Sequence, residues 1–325
     1  MKNIKKFQKT KLYDEYWKFA AERQSIFYKR NILKQHGPWT KNPILQKYKF
    51  TNAYRINDRV SQYLMQYIIN KRNLFILDEQ DIIFRILLFK IFNKIDTWNK
   101  LEEKLGEIYY TDGVLRDIGI ILEELSERKF KIYSGAYIMP SGINSFGYKK
   151  KYQNHLALLK QMMNNKLASN IIRCKSMKEV YELLLSYPMI GSFLAYQYAT
   201  DINYSTVTNF SEMEFVMAGP GAKSGIRKCF VNVDEADYND IIMSVCYNQD
   251  REFGRLGLNF TKLRGRPLQL IDCQNLFCEF DKYSRVAFPN LSEPTGRKRI
   301  KQKFKINQEK IEFVYPKKWH LQDNW

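Results

Sequence analysis

Histidine is scarce in this chain, three residues in 325, and the five cysteines, Cys174, Cys229, Cys246, Cys273 and Cys278, fall without a paired short spacing. That excludes a recognisable zinc motif and a disulfide framework, so neither a metal nor a cofactor is expected. Long apolar runs are missing too. The longest, residues 82–92, is broken by Arg85 and Lys90, far short of the ~20 residues that a bilayer-spanning helix needs. The first eleven residues are basic and lack the apolar core of roughly 7–15 residues that marks a signal peptide. No Gly-x4-Gly-Lys-Ser spacing occurs, which argues against a nucleotide-phosphate loop in these residues. The expectation is a cytoplasmic monomer without membrane contact.

What is abundant is positive charge. Fifty-three Lys and Arg against 34 Asp and Glu give a formal charge of +19. That is an electrostatic footprint suited to a polyanion, and double-stranded DNA is the first partner to consider.

The periodicity is helical nearly throughout, over 11–34, 58–69, 80–92, 100–105, 112–126, 152–162, 177–186 and 192–200, and predicts a mostly α fold. In residues 81–89 apolar side chains surround the axis, which marks a helix inside the core. Strands are expected only at 132–139 and 311–315. Gly and Pro punctuate the pattern at 37–38, 140–142, 218–221 and 264–267. This gives an amino-terminal helical lobe at 1–140, a second lobe at 141–295, and a basic tail at 296–325 that packs back.

The most informative stretch is Tyr187-Pro188-Met189-Ile190-Gly191-Ser192-Phe193-Leu194-Ala195. Pro188 ends one helix, and Gly191 lets the chain reverse into the next. The N–H groups around Ile190 and Gly191 then face outward, as a phosphate requires. Glu212 follows 21 residues after Gly191, with Glu214 beside it. The run from Gly219 and Gly221 through Lys223 to Arg227 combines flexible backbone with cations and is expected to wrap a phosphate. Arg55 and Arg59 are spaced to share a helical face, with Asp58 to orient them. Trp39 offers a stacking surface. Asp272, Asn275, Glu279 and Lys282 form a polar stripe on an otherwise apolar helix, as a cavity lining would.

Several of these motifs together resemble one family. They are Pro38-Trp39-Thr40, the run from Lys49 through Asn52 to Arg55, the run from Asp58 through Arg59 to Leu64, Phe193-Leu194-Ala195-Tyr196-Gln197, the run from Phe215 to Ala222, and the run from Asp272 to Tyr283. The family is that of the alpha-glutamyl/putrescinyl thymine pyrophosphorylases, also described as the helical domain of 5-hydroxymethyluracil DNA kinases. It looks related to helix-hairpin-helix DNA glycosylases, and the resemblance covers roughly residues 27–285.

The resemblance implies a two-lobed, glycosylase-like helical fold and two candidate activities. The first is a DNA glycosylase that flips a hypermodified or glycosylated pyrimidine out of the duplex and hydrolyses its N-glycosidic bond in antiphage defence. Glu212, Glu214 or Asp272 would supply the carboxylate. Trp39, Asn52, Arg55, Asp58, Asn275, Glu279 and Lys282 would line the base pocket. Arg59, Ile190, Gly191, Gly219, Gly221, Lys223 and Arg227 would hold phosphates. Relatives that also nick the strand carry a lysine where this chain has Phe193, so an intact abasic site is expected. The second activity is a hypermodification transferase that replaces a pyrophosphoryl group on 5-hydroxymethyluracil with an amine or amino acid.

Overall fold

The computed structural model describes residues 7–70, 78–111, 113–291, 299–307, 309, 311–323 and 325. The basic start of the chain at 1–6, residue 112 at the start of an expected helix, and the first residues of the basic run at 296–298 lie outside them. The described residues form fifteen α-helices. In chain order these are α1 (Leu12–Phe27), α2 (Pro43–Lys47), α3 (Arg59–Tyr63), α4 (Glu79–Phe92), α5 (Ile95–Leu105), α6 (Val114–Glu127), α7 (Ile143–Phe146) and α8 (Lys151–Asn164). Then follow α9 (Leu167–Arg173), α10 (Met177–Leu185), α11 (Ser192–Asn203), α12 (Pro220–Cys229), α13 (Asp237–Tyr247), α14 (Gln249–Arg255) and α15 (Leu270–Ala287).

The fold is mostly α, as the periodicity predicts. The expected strands at 132–139 and 311–315 are absent. Their main-chain groups are taken by other partners: Thr97 Oγ1 donates to the Ile132 carbonyl at 2.7 Å, and the Gln62 amide clamps Val314 through its N–H at 2.8 Å and its carbonyl at 3.2 Å. Extended backbone satisfied this way needs no neighbouring strand. Among the described residues only isolated bridges occur, such as Tyr48 with Lys303.

Two compact units divide the chain, and each is discontinuous in sequence. The first comprises Met1–Asp58, Glu212–Glu312 and Trp319–Trp325. Its centre is the packing of α1 and α12 on α15, with Tyr16 stacked on Phe277 at 4.3 Å between ring centroids and Trp17 edge-on to Phe253 at 4.9 Å. The helices α12 and α15 approach so closely that a Cβ at Gly225 would stand 2.1 Å from the Phe277 carbonyl oxygen, and one at Gly221 would stand 2.3 Å from Cys278 Sγ. Glycine is therefore required at both positions by packing.

The second unit comprises Arg59–Ser211 and Phe313–Lys318. Its core is α4, buried all round as expected. Arg85 is wholly buried within it and donates to the carbonyls of Tyr67, Ile68 and Ile108. Asp78 caps α4 by accepting from the Asp81 N–H at 2.7 Å, and Ser176 caps α10 by accepting from the Glu179 N–H at 3.2 Å.

Candidate functional site

In the second unit, α10 and α11 form the helical hairpin that the sequence announces. The expectation that Gly191 turns the chain is corrected. Gly191 is extended (φ −82°, ψ 170°), and the left-handed residue is Met189 at φ +68°. Met189 occupies a conformation that costs an L-residue about 1–2 kcal/mol. Its side chain packs on Gly142, where a Cβ would stand 2.6 Å from Met189 Sδ. Ile190 is buried, whereas Gly191 is exposed and a Cβ there would meet nothing within 4 Å. The first turn of α11 thus opens onto solvent, with orphan N–H groups at its start. Phe193 stacks on Tyr137 at 5.6 Å.

Seven of the other predicted residues converge in the first unit, where the segment 49–58 lies along α15. Asp272 closes a capping box with Gln269, its Oδ2 accepting from the Gln269 N–H at 2.9 Å, while its Oδ1 accepts from the Arg55 N–H at 2.7 Å. Two turns on, Glu279 Oε2 accepts from the Thr51 N–H at 3.0 Å and pairs with Lys282 Nζ at 2.8 Å. Asn275 stands between them, partly exposed. Arg23, from α1, locks the same segment by donating to the carbonyls of Thr51 at 3.1 Å and Phe50 at 3.2 Å. The polar stripe on α15 therefore faces the 49–58 motif, so two regions more than 200 residues apart form one cluster.

Within this cluster Asp58 is partly exposed, and its Oδ1 accepts from the Asn52 N–H at 2.9 Å. The Asn52 side chain donates to the Asn57 carbonyl at 2.8 Å. Burial pushes the Asp58 carboxyl up to about 7, against the pull of the Asn52 hydrogen bond and with Glu279 adding to the rise. Burial likewise pushes Asp272 up to about 6, against its two main-chain donors.

Glu212 sits on the connection between α11 and α12, buried, and Arg266 Nη2 donates to its Oε1 at 3.0 Å. The Arg266 guanidinium lies over the Trp319 ring at 4.0 Å from the centroid. Neither Arg266 nor Trp319 was legible as a site residue. The Arg264-Gly265-Arg266-Pro267 run reads as a turn, and nothing local couples it to a tryptophan 53 positions on. Glu214 is exposed.

Two further expectations are corrected. Arg55, Asp58 and Arg59 do not share a helical face: Arg55 is in a 3-10 turn (Arg55–Asn57), Asp58 is extended, and Arg59 begins α3 in the other unit. The run from Gly219 is not a flexible loop. It is helical from Pro220, Gly219 is the N-cap of α12, Lys223 pairs with Glu235, and Arg227 donates to Tyr238 Oη at 2.7 Å. Trp39 stands apart near the surface, its Nε1 donating to the Gln35 carbonyl at 2.7 Å beneath the Arg30 guanidinium.

The model of the family described as "5-hmdU DNA kinase, helical domain" matches residues 10–293. A curated relative, the 5-hmdU DNA kinase of Bacillus phage SP10, is 24% identical over 326 aligned residues, which cover 94% of this chain and 50% of that protein. The chain thus spans about half the length of the relative it matches. No solved structure shows a significant match. No helix among the described residues is long and apolar enough to cross a membrane. These findings overturn the expected glycosylase: the similarity is to a kinase of a modified DNA base, not to an enzyme that hydrolyses the N-glycosidic bond.

Proposed function

The chain belongs to the family of 5-hmdU DNA kinase helical domains, and from that premise we propose that it acts in DNA base modification, on 5-hydroxymethyluracil or its phosphorylated form within duplex DNA. The family match across most of the chain carries this reading. The charge of +19 supports a DNA substrate, and the open first turn of α11 suits a backbone phosphate.

The step assigned to the chain is group transfer. The nitrogen of a primary amine or amino acid attacks the 5-methylene carbon of a pyrophosphorylated hydroxymethyluracil. A C–N bond forms as the C–O bond breaks, pyrophosphate leaves with the bonding pair, and the ammonium proton passes to a carboxylate. Asp58 suits that role, because a carboxyl that burial holds near pH 7 can take up a proton at neutral pH. Phosphoryl transfer from a nucleotide is not assigned to these residues, which lack the Gly-x4-Gly-Lys-Ser spacing.

The test is to incubate the protein with pyrophosphorylated 5-hydroxymethyldeoxyuridine DNA and a panel of amines and amino acids, then to digest the DNA and weigh the nucleosides. An amine-adduct mass with one pyrophosphate released per adduct is expected, together with a slower rate for Asp58→Asn. Nucleosides unchanged with every amine would overturn the group-transfer reading.

A further inference from the structure

In the second unit a groove of about 450 Å³ opens between the start of α6 and the length of α8, within the range of roughly 300–1,000 Å³ typical of small-ligand sites. Its chemistry is mixed in a particular way. Tyr110 and Tyr148 present aromatic surface, Leu156 gives an apolar floor, Gln153 brings an amide, and Arg116 and Lys160 place cations at the rim. Both cations are exposed. Arg116 makes a long contact with Asp117 at 3.4 Å, and Lys160 has no ion pair among the described residues.

The aromatic walls are fixed in advance. Tyr148 is 50% exposed, yet its main chain is clamped on both sides by the fully buried Asn154, whose Oδ1 accepts from the Tyr148 N–H at 3.0 Å and whose Nδ2 donates to the Tyr148 carbonyl at 2.8 Å and the Ser141 carbonyl at 3.0 Å. Tyr110 is held by its N–H to Asp81 Oδ1 at 2.8 Å and by its ring against Phe84 at 5.3 Å. A large exposed ring whose backbone is immobilised loses little entropy when something stacks on it.

Such a combination fits a nucleotide: a π-face for the tyrosines, a hydrogen-bonding base edge for the amide, and a phosphate for the cations. The groove is also tied to the hairpin. Asn154, which fixes Tyr148, abuts the hairpin: a Cβ at Gly142 would stand 2.8 Å from Asn154 Cβ and 2.6 Å from Met189 Sδ. Hairpin turn and aromatic wall therefore share one rigid support.

We propose that the groove lined by Tyr110, Tyr148, Gln153, Arg116 and Lys160 is a second DNA contact that receives an unpaired nucleotide of the strand gripped by the hairpin. This rests on the reading that the chain binds DNA, and the two are separable by experiment. Fluorescence anisotropy with a labelled oligo-dT and a blunt duplex is measured for the wild type, Tyr148→Ala, Tyr148→Phe and Lys160→Ala across a salt series. Loss of one stacked base predicts a roughly tenfold or greater weakening for oligo-dT with Tyr148→Ala. Tyr148→Phe, which keeps the ring, stays within about twofold of the wild type, as does blunt-duplex affinity for either variant. Lys160→Ala lowers the salt slope for oligo-dT by about one. A Tyr148→Ala protein that binds oligo-dT as the wild type does, while duplex binding persists, overturns the groove alone. Absence of wild-type binding to both DNAs overturns the DNA reading as well. Binding of oligo-dT no tighter than free dTMP, judged by competition, overturns the strand as occupant.

Discussion

The main-chain N–H of Arg55 stands 2.7 Å from Asp272 Oδ1, and the second oxygen of that carboxylate accepts from the Gln269 N–H at 2.9 Å. One side chain thus starts α15 and anchors the 49–58 motif to it. A buried carboxylate with both oxygens committed to main-chain donors acts first as a positioning residue, because it sets where Arg55 and Asp58 stand.

Replacing that carboxylate is expected to be costly. Asp272→Asn presents an NH2 group to one of the two N–H donors, leaving a buried donor unpaired at about 1–3 kcal/mol. Urea denaturation at neutral pH measures it, and a midpoint equal to that of the wild type would mean that the two hydrogen bonds contribute nothing to stability.

The same cluster imposes a pH dependence. Asp58 and Asp272 have folded pKa values raised from 3.8 to about 7 and about 6, so between pH 4 and these values the native state binds more protons than the unfolded one. Their contribution to stability is therefore present at the acidic end of the window and declines as pH rises to 7. Asp281 and Glu252, whose carboxyls are lowered even though burial, their largest influence, raises them, because hydrogen bonds and neighbouring cations outweigh it, act oppositely and below that window. Urea midpoints at pH 4.5, 6 and 7.5 should show a flatter profile for Asp58→Asn than for the wild type, and parallel profiles would contradict the assignment.

At Gly225 the usual sign of a helix substitution reverses. Alanine in a helix interior normally gains up to about 1 kcal/mol over glycine, but here its Cβ meets a main-chain oxygen at 2.1 Å. Gly225→Ala is expected to destabilise by about 3 kcal/mol, the upper end of ordinary overpacking. A thermal melt at or above the wild-type Tm would show that α12 can slide on α15.

Gly142→Ala tests the support beneath the hairpin. Its φ of +76° disfavours any side chain, and the new methyl would meet Met189 Sδ at 2.6 Å and Asn154 Cβ at 2.8 Å. Both the melting temperature and duplex affinity should fall, and adding Met189→Gly should recover only part of the loss because the Asn154 contact remains. Full recovery in the double variant would place all the strain on Met189.

Arg266 and Glu212 should behave as a coupled pair. Arg266→Ala takes a guanidinium from a buried carboxylate, a change that costs about 3–5 kcal/mol when a buried pair is broken. Glu212→Gln in the same chain removes the buried charge that Arg266 helps to balance and should restore part of the stability. A double-mutant cycle showing additive losses would mean that the 3.0 Å contact contributes no coupling energy.

The sequence by itself determined what depends on neighbours three and four positions away. It placed α1, α3, α4, α5, α6, α8, α10 and α11 to within several residues, but not α2, α7, α9, α13 or α14, and it read α12 as a loop; it also showed the buried character of α4, the α10–α11 hairpin, and the single face shared by Asp272, Asn275 and Glu279. Helical periodicity and capping are local, so the chain states them openly. Tertiary structure alone decided that this face meets residues 49–58, that Arg266 stacks on Trp319 beside Glu212, and that each compact unit is stitched from separate segments. It also decided that Met189, not Gly191, carries the left-handed turn, and that Gly221 and Gly225 serve helix contact rather than a loop. Those outcomes depend on which surfaces fill one another's space, a property of packing between distant segments that no short window of residues encodes.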